Sequence, residues 1–212
     1  LGKEGNSGLS KKEQKNRYSK KRLKSAPGYE REQECNMSKM DCAVKMIQRM
    51  WHSGLHPHYA LADSWFANEK FISSIREIGN GALHYIGLAK MDKTKYRVEG
   101  RKHRVEELIA LYTRQIKACR KYKCQYIMLK GKLGGLPVRI YLIKYGRNTR
   151  WNIMLSTDVS MPFVRAFELY QIRWNIEVVN KETKEYLGLG SYIGRDLDGQ
   201  IADATQIGRA HV

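Results

Sequence analysis

The first half of the chain alternates segments with helical spacing of apolar residues and short, continuous apolar runs. In "SKMDCAVKMIQRMWHSG", Val44, Ile47 and Trp51 share one helical face, and Ser38 is the predicted N-cap. The run "HYALADS" has the pattern of a buried strand and ends in the carboxylate of Asp63. A second helix, "WFANEKFISSIREIGNG", and a second strand, "ALHYIGLAKM", come next. This alternation predicts an α/β layer with Asp63 at the carboxyl edge of its sheet.

The middle of the chain changes to a β-rich pattern. After a predicted helix in "RVEELIALYTRQIKAC", the runs "QYIMLK", "LPVRIYLIKY" and "WNIMLSTD" are separated by the turn sequences "GKLGG" and "GRNTR". We interpret this block as an insertion between the α/β part and the helix after it. The block is also basic, with positive side chains at Lys130, Lys132, Arg139, Lys144, Arg147 and Arg150.

A long helix is predicted next, with Asp158 in the turn before it, Ser160 as its N-cap and Pro162 in its first turn. At about 100° per residue, one narrow polar stripe runs along this helix. The stripe consists of Tyr170, Arg173, Glu177 and Lys184. The predicted buried face consists of Leu169, Ile172, Ile176, Val179 and Leu187. The stripe either presents a carboxylate between cations for chemistry, or forms ordinary i,i+4 ion pairs on a solvated face, Glu177 with Lys181 among them.

The net charge of the chain indicates what kind of partner it binds. The 212 residues include 39 Lys and Arg against 21 Asp and Glu, which gives a net charge of +18 and an isoelectric point of about 9.8. This excess favours a polyanionic partner, with nucleic acid ahead of an anionic membrane surface. No apolar run reaches membrane-spanning length and no signal peptide is recognised, so we expect a cytosolic protein without a membrane partner.

The cysteines do not indicate a metal site. The spacings of Cys35, Cys42, Cys119 and Cys124 do not match a strong zinc signature. We therefore expect reduced thiols, with a four-cysteine zinc site as the alternative.

Two carboxylates carry the candidate chemistry. Asp63 ends a predicted strand, and Glu177 lies far along the chain in a predicted helix. Mg²⁺ takes oxygen ligands and keeps waters and substrate phosphates in the rest of its shell. Carboxylates from distant elements that meet at one sheet edge can hold two such ions, which stabilise the attacking and leaving oxygens of phosphodiester chemistry. The basic residues around Glu177 would then hold the DNA backbone.

The spacing of the polar stripe resembles a known signature. The arrangement Tyr170-x2-Arg173-x3-Glu177-x6-Lys184 is similar to the Y-R-E-K signature of insertion-sequence transposases of the DDE type, the "IS-four" family. The segments "LADSWF", "AKMDKTKY", "LSTD", "FELYQIRWNIE" and "KETKEYLGLG" also resemble that family, in the same order. The similarity covers nearly the whole chain.

The resemblance implies a fold and a domain organisation. The expected fold is an α/β, RNase H-like catalytic core, truncated at its first strands and interrupted by a β-rich insertion. Residues 1–30 would form a basic flexible arm, 31–92 the first part of the core, 93–158 the insertion, and 159–206 the signature helix with the remainder of the core. Residues 207–212 ("IGRAHV") resemble a translated sequencing adapter and form a candidate non-native tail.

The resemblance also assigns the metal site. Asp63 matches the second Asp of the family's acidic triad, and Glu177 matches its Glu. Both would be catalytic metal ligands for Mg²⁺, with Mn²⁺ as a substitute. The first Asp of the triad has no counterpart, because Asp41 lies in a predicted helix rather than on a strand. Since the chain also begins with Leu1 rather than Met, we expect an inactive fragment of a longer transposase.

The same resemblance assigns the DNA contacts. Tyr170, Arg173 and Lys184 match positions that contact transposon-end DNA near the cleaved phosphate, and Lys181 belongs to the same basic face. Trp151 matches a tryptophan that stacks on a flipped base in related hairpin-forming transposases. The alternative for Trp151 is a core aromatic residue at a hairpin.

The predicted function is bacterial DNA transposition. Water attacks a phosphodiester at the transposon end, and the freed 3′-hydroxyl then attacks a second phosphodiester. The expected partners are transposon-end DNA, target DNA and a second copy of the protein in a homodimer. The expected location is the cytoplasm, in association with the nucleoid. The alternative hypothesis is a non-catalytic basic DNA-binding protein.

Overall fold

The structure is a computed structural model that describes residues 23–25, 29, 34, 37–146, 150–188, 191, 199 and 201–204. The described residues fall into two compact units, one within 43–174 and the other within 1–42 and 175–212. We call them the sheet unit and the terminal unit. The predicted tail at 207–212 and most of the predicted arm at 1–30 lie outside the described residues. The domain boundaries given by the resemblance stay predictions.

The first helices and strands have the order that the sequence predicts. They are α1 (Lys39–His52), β1 (Tyr59–Ala62), α2 (Glu69–Ile78) and β2 (His84–Ala89). The N-cap of α1 is confirmed, because the hydroxyl of Ser38 accepts a hydrogen bond from the amide of Asp41 at 3.1 Å. Asn68 caps α2 in the same way, accepting from the amide of Phe71 at 2.9 Å. Gly79 ends α2 at its C-cap, as predicted.

The β-rich segment contains the three predicted strands and some shorter elements. They are β3 (Tyr96–Val98), β4 (Arg101–His103), α3 (Val105–Leu111), β5 (Lys117–Cys119), β6 (Cys124–Leu133), β7 (Leu136–Tyr145) and β8 (Trp151–Ser156). The helix predicted in "RVEELIALYTRQIKAC" is shorter than expected. A 3₁₀ turn at Thr113–Gln115 comes after α3, and Lys117–Cys119 then pairs with the start of β6 instead of continuing the helix.

The eight strands that the structure describes form one sheet, in the order β1-β2-β8-β7-β6-β3-β4, with β5 also paired to β6. β1 and β2 are parallel, and the other pairs are antiparallel. The predicted insertion is continuous with the α/β part, because β8 pairs with β2 and places Leu155 opposite Gly87. β1 lies at one edge and pairs with β2 alone among these strands.

One face of the sheet packs against α4 (Phe163–Ile172). The buried residues between them form the α4 core cluster: Ile86, Cys119, Cys124, Tyr141, Ile143, Met154, Met161, Phe163, Ala166 and Phe167. Phe163 stacks on Tyr126 with ring centroids 4.0 Å apart. The hydroxyl of Tyr141 donates to the carbonyl of Met161 at 2.7 Å, which satisfies a polar group inside the cluster.

The opposite face of β2 carries different residues. Successive side chains of a strand point to opposite faces, and Ile86 belongs to the α4 core cluster, so Tyr85 and Gly87 point to the other side. α2 also contacts β2. Its buried residues are Phe71, Ile72 and Ile75.

The long helix predicted near the end of the chain is divided, so that prediction is wrong. α4 ends at Ile172, Arg173 and Trp174 form a turn, and α5 (Asn175–Leu187) begins after it. The amides of Arg173 and Trp174 donate to carbonyls three residues earlier, at 3.1 and 3.0 Å, which is the tighter 3₁₀ pattern. Ile, Trp and Asn are weak helix formers, and they are concentrated at this turn.

The predicted buried face of this helix is formed only in part. Leu169 packs against the α4 core cluster. Ile172, Ile176 and Val179 are instead 52, 60 and 56 % exposed. Helical spacing predicts which residues share a face, but it does not predict whether a partner covers the whole length of that face.

Asp158 organises the turn between β8 and α4. Its Oδ1 accepts hydrogen bonds from the hydroxyl and the amide of Ser160 at 2.6 and 3.0 Å, and its Oδ2 accepts from the hydroxyl of Tyr59 at 3.2 Å. The predicted turn role of Asp158 is therefore confirmed. The prediction of Ser160 as N-cap is wrong, because Pro162 holds that position without a side-chain cap.

Replacing Asp158 by asparagine is expected to lower the free energy of unfolding by about 1–3 kcal/mol near neutral pH, because an amide oxygen accepts the bonds from Ser160 more weakly than a carboxylate and the amide NH2 group cannot accept the bond from Tyr59. Partial burial raises the pKa of Asp158, but the hydrogen bonds from Ser160 and Tyr59 outweigh it and hold the pKa below its ordinary value of 3.8. A lowered folded-state pKa gives stability that is present above the unfolded pKa and is lost as pH falls through the folded pKa.

Urea denaturation measured from neutral pH down to below pH 4 checks the prediction. The difference in unfolding free energy between wild type and Asp158→Asn should shrink once the pH falls below about 4. A difference that keeps its full size in strong acid would contradict the assigned role of the carboxylate.

Candidate functional site

Asp63 lies directly after β1, as predicted, and its side chain is exposed. It is the N-cap of a short 3₁₀ helix, Ser64–Phe66, and its Oδ1 accepts a hydrogen bond from the amide of Ser64 at 2.6 Å. This bond fixes the carboxylate at the carboxyl end of a parallel strand pair. That position is the usual ligand-binding edge of an open α/β sheet.

Strand ends from distant segments meet at this edge. β1 and β2 are parallel, so both end here, and Ala62 is paired with Gly87. β8 runs antiparallel to β2, with Ile153 opposite Ala89, so β8 begins here. The topology therefore brings Asp63 and Trp151, which the sequence placed in separate segments, to one edge of the sheet unit.

A lysine and a tryptophan lie at the same edge as Asp63. The Nζ atom of Lys90, directly after β2, is 3.7 Å from the ring centroid of Trp65. The Trp65 side chain is 69 % exposed. Such an exposed cation–π contact contributes about 0.5–1 kcal/mol and holds the lysine in place. The sequence pattern did not identify either residue, although both lie inside the segments "LADSWF" and "AKMDKTKY".

Trp151, at the start of β8, lines an open cavity of about 620 Å³. The other lining residues are Met91, Glu106, Ile109, Arg150 and Asn152. The Nζ atom of Lys144 lies 5.9 Å from the centroid of the indole ring. The indole is half-buried, with space beside it, and is not enclosed in the core. A ring in this setting can stack against a planar group.

Tyr170 and Arg173 lie at the end of α4. The guanidinium carbon of Arg173 is 5.6 Å from the ring centroid of Tyr170. Tyr170 is partly buried against the α4 core cluster. Packing therefore fixes the tyrosine on which the arginine stacks.

The remaining predicted site residues lie on α5, in the terminal unit. Glu177 is in the first turn of α5 and is exposed, and Lys184 is in its last turn. Lys181 pairs with Glu185, with 3.8 Å between Nζ and Oε1, which is an ordinary i,i+4 pair. Because these residues belong to a different compact unit from Asp63, the convergence of Asp63 and Glu177 stays a prediction.

The cysteines near the core are thiols. Cys119 and Cys124 lie opposite each other on β5 and β6, and both are free and buried. Burial raises the pKa of Cys124 to about 11, with Cys119 adding to the shift, so this thiol is protonated and unreactive at neutral pH. Cys35 lies outside the described residues. Over the ranges that the structure describes, no group of three or more His, Cys, Asp or Glu side chains is placed to hold a metal ion.

The comparison with protein families gives a single clear result. A family model described as "Transposase DDE domain" matches residues 30–207, and this match includes Asp63, Trp151 and the whole polar stripe. In the described part of the chain, no helix is both long and apolar enough to cross a bilayer.

Searches of curated proteins and of solved structures gave no significant match. The matched region covers far more than half of the 212 residues, so the chain belongs to the transposase DDE domain family.

Proposed function

We propose that the chain is part of an insertion-sequence transposase of the "IS-four" type, which cleaves a phosphodiester at the transposon end and transfers the freed strand. The observation that carries this proposal is the exposed carboxylate of Asp63 at the carboxyl end of β1, with Lys90, Trp65 and Trp151 at the same sheet edge. A carboxylate next to a cation and exposed aromatic rings suits chemistry on a nucleic acid.

Asp63 and Glu177 are the proposed ligands of Mg²⁺, with Mn²⁺ as a substitute. Mg²⁺ keeps waters and phosphate oxygens in most of its coordination shell, so it is held by one or two open carboxylates rather than by a closed cage of side chains. The exposed Asp63, oriented by the Ser64 amide, fits that requirement. When bound, the ion activates water and neutralises charge on the scissile phosphate.

The basic residues are the proposed contacts to the DNA backbone. Arg173 and Tyr170 would contact DNA from the end of α4, and Lys184 and Lys181 from α5. Lys90 adds a cation at the Asp63 edge. The proposed partners are transposon-end DNA, target DNA and a second copy of the protein. Each phosphate neutralised by a lysine or arginine releases counterions, so binding should weaken steeply as salt is raised.

Trp151 is proposed to stack on a nucleobase turned out of the duplex. The cavity beside its ring has apolar walls from Met91 and Ile109. Asn152 and Glu106 line the same cavity and offer an amide and a carboxylate for hydrogen bonds to a base edge. A pocket with one stacking wall and a few polar groups has the composition expected of a flipped-base site.

In a chain extended upstream through its reading frame, replacing Trp151 by alanine is expected to slow cleavage by about 5- to 150-fold, because base–aromatic stacking contributes about 1–3 kcal/mol. Trp151→Phe keeps a ring and should lose less activity. Fluorescence of 2-aminopurine at the flipped position measures the stacking directly. Equal cleavage and equal fluorescence in wild type and Trp151→Ala would contradict the assignment.

The proposed fold is an RNase H-like core with a β-rich insertion. The parallel β1–β2 pair with Asp63 at its end supports this fold. The resemblance implies a further triad Asp on a neighbouring strand. β1 has an unpaired side within the described residues, where such a strand could join the sheet. We therefore expect cleavage from a chain extended upstream through its reading frame rather than from the 212 residues alone.

A cleavage assay with DNA that carries the element ends tests the proposed function. The extended protein should nick the element boundary with Mg²⁺ or Mn²⁺ and should be inactive with EDTA. Binding that falls steeply with salt, without cleavage under any metal, would overturn the enzymatic proposal and favour a non-catalytic basic DNA-binding protein.

A further inference from the structure

Tyr85 is a fully buried residue of β2, and its hydroxyl has no hydrogen-bond partner in the described part of the molecule. Burying a hydroxyl without a partner is unfavourable, because its hydrogen bonds to water are not replaced. The buried hydroxyl of Tyr141, in contrast, donates to a backbone carbonyl at 2.7 Å. A phenylalanine would fill the interior at position 85 without this cost, so packing alone does not explain the tyrosine.

The hydroxyl of Tyr85 lies at the strand end that carries Asp63. A methyl group placed on Gly87 would lie 2.2 Å from the Tyr85 hydroxyl oxygen and 2.7 Å from the carbonyl oxygen of Ala62. Ala62 is paired with Gly87 and directly precedes Asp63. The absence of a side chain at Gly87 therefore leaves the space through which the Tyr85 hydroxyl reaches the end of β1.

The surroundings of Tyr85 keep it in the hydrogen-bond-donating form. Burial raises the pKa of Tyr85 well above its ordinary value of 10.0, and charges on Tyr170, Tyr96 and Asp63 add to the shift. The phenol is therefore protonated at neutral pH and has one O–H to donate. The carboxylate of Asp63, the residue directly after Ala62, is an acceptor at this same strand end.

We infer that Tyr85 is a positioning residue for Asp63, and that its hydroxyl donates a hydrogen bond to the Asp63 carboxylate when that carboxylate binds the divalent cation. This inference rests on the proposed function. The Ser64 amide already holds Oδ1. The Tyr85 hydroxyl would bind the carboxylate from the interior of the sheet unit. Together, the bonds from Ser64 and Tyr85 would fix the plane of the Asp63 carboxylate. Such outer partners orient a metal ligand and set its affinity.

Mn²⁺ binding to the 212-residue chain, measured by the electron paramagnetic resonance signal of free Mn²⁺, tests the inference in Tyr85→Phe. The dissociation constant is expected to rise about tenfold, as for other outer-shell partners of metal ligands. The melting temperature without metal should not fall, because the variant loses only an unpaired hydroxyl. Tyr141→Phe is the matched control, since it removes a paired buried hydroxyl: its melting temperature should fall and its Mn²⁺ binding should stay unchanged.

The possible outcomes separate the inference from the proposed function. Equal Mn²⁺ dissociation constants for wild type and Tyr85→Phe would overturn the inference and leave the proposed function standing. A lower melting temperature for Tyr85→Phe without metal would also overturn it, because the hydroxyl would then have a structural partner. Mn²⁺ binding that is the same in wild type and Asp63→Asn would overturn both.

Discussion

Asparagine in place of Asp63 is expected to lower the rate of metal-dependent DNA cleavage by the upstream-extended protein by about 10³-fold or more, since a bound ion supplies several kcal/mol of transition-state stabilisation. The amide keeps the size of the side chain but loses the charge that holds the cation. It can still accept the hydrogen bond from Ser64, so unfolding free energy should change by less than about 0.5 kcal/mol. Single-turnover cleavage with Mg²⁺ and urea denaturation measure the two effects.

Asp158→Asn is the matched control for this experiment. In the wild type, the Asp158 carboxylate accepts a hydrogen bond from Tyr59, the first residue of β1. Asp63 comes after the last residue of that strand. The control should therefore lose stability and keep its cleavage rate within about twofold, because it lies away from the reacting edge. Wild-type cleavage by Asp63→Asn would remove Asp63 from the metal site, and the enzymatic proposal with it.

Phe163→Ala is expected to lower the free energy of unfolding by about 3–5 kcal/mol, the usual cost of truncating a buried phenylalanine. Phe163 is 2 % exposed and lies at the centre of the α4 core cluster. Its ring stacks on Tyr126 and also contacts Tyr141 and Phe167. Alanine would leave a cavity between α4 and the sheet that these rigid rings cannot fill. Urea denaturation monitored by circular dichroism measures the loss.

The next residue of the same helix provides the control. Val164 is 38 % exposed, so Val164→Ala should change stability by less than about 1 kcal/mol. Similar losses in the two variants would mean that α4 is not held to the sheet by Phe163. Because α4 carries Tyr170 and leads directly into Arg173, Phe163→Ala should weaken DNA binding as well, without touching a DNA contact.

The sequence predicts most of the fold wherever one local signal decides the structure. The run before Asp63 is apolar and short, and a carboxylate comes directly after it, so a strand that ends in a polar residue was the simplest interpretation. The strand runs separated by glycine-rich turns were predicted for the same reason. β5 was missed because the sequence predicted a helix through Lys117–Cys119, whereas these residues pair with the start of β6.

The signature helix shows where periodicity stops being informative. A wheel drawn through Tyr170 and Glu177 assumes one straight helix, but the turn at Arg173 and Trp174 separates them. Spacing cannot reveal this turn, because the backbone of Arg173 stays close to helical, with φ −52° and ψ −31°. Only the hydrogen bonds change, from four residues back to three.

Sequence analysis identified single candidate residues of the site. It did not identify residues whose role depends on a contact with another residue. Asp63 was identified because it directly follows a strand run, and Trp151 was identified through the resemblance to the transposase family. Lys90 and Trp65 meet only because β1 and β2 lie side by side. Sequence patterns cannot reveal that the Tyr85 hydroxyl has no partner among the described residues, because a buried tyrosine and a buried phenylalanine have the same periodicity.

The pairing of β8 with β2 has a consequence for where the sequences of related transposases can change in length. Ile153 stands opposite Ala89, so the hydrogen-bond ladder, and not the length of the preceding connection, sets the distance from Trp151 to the end of β1. Insertions or deletions between Gly146 and Arg150 would leave that distance unchanged. A single deletion inside β8 would turn every later side chain to the other face. Drift in length should therefore accumulate in the connection and be purged from the strand.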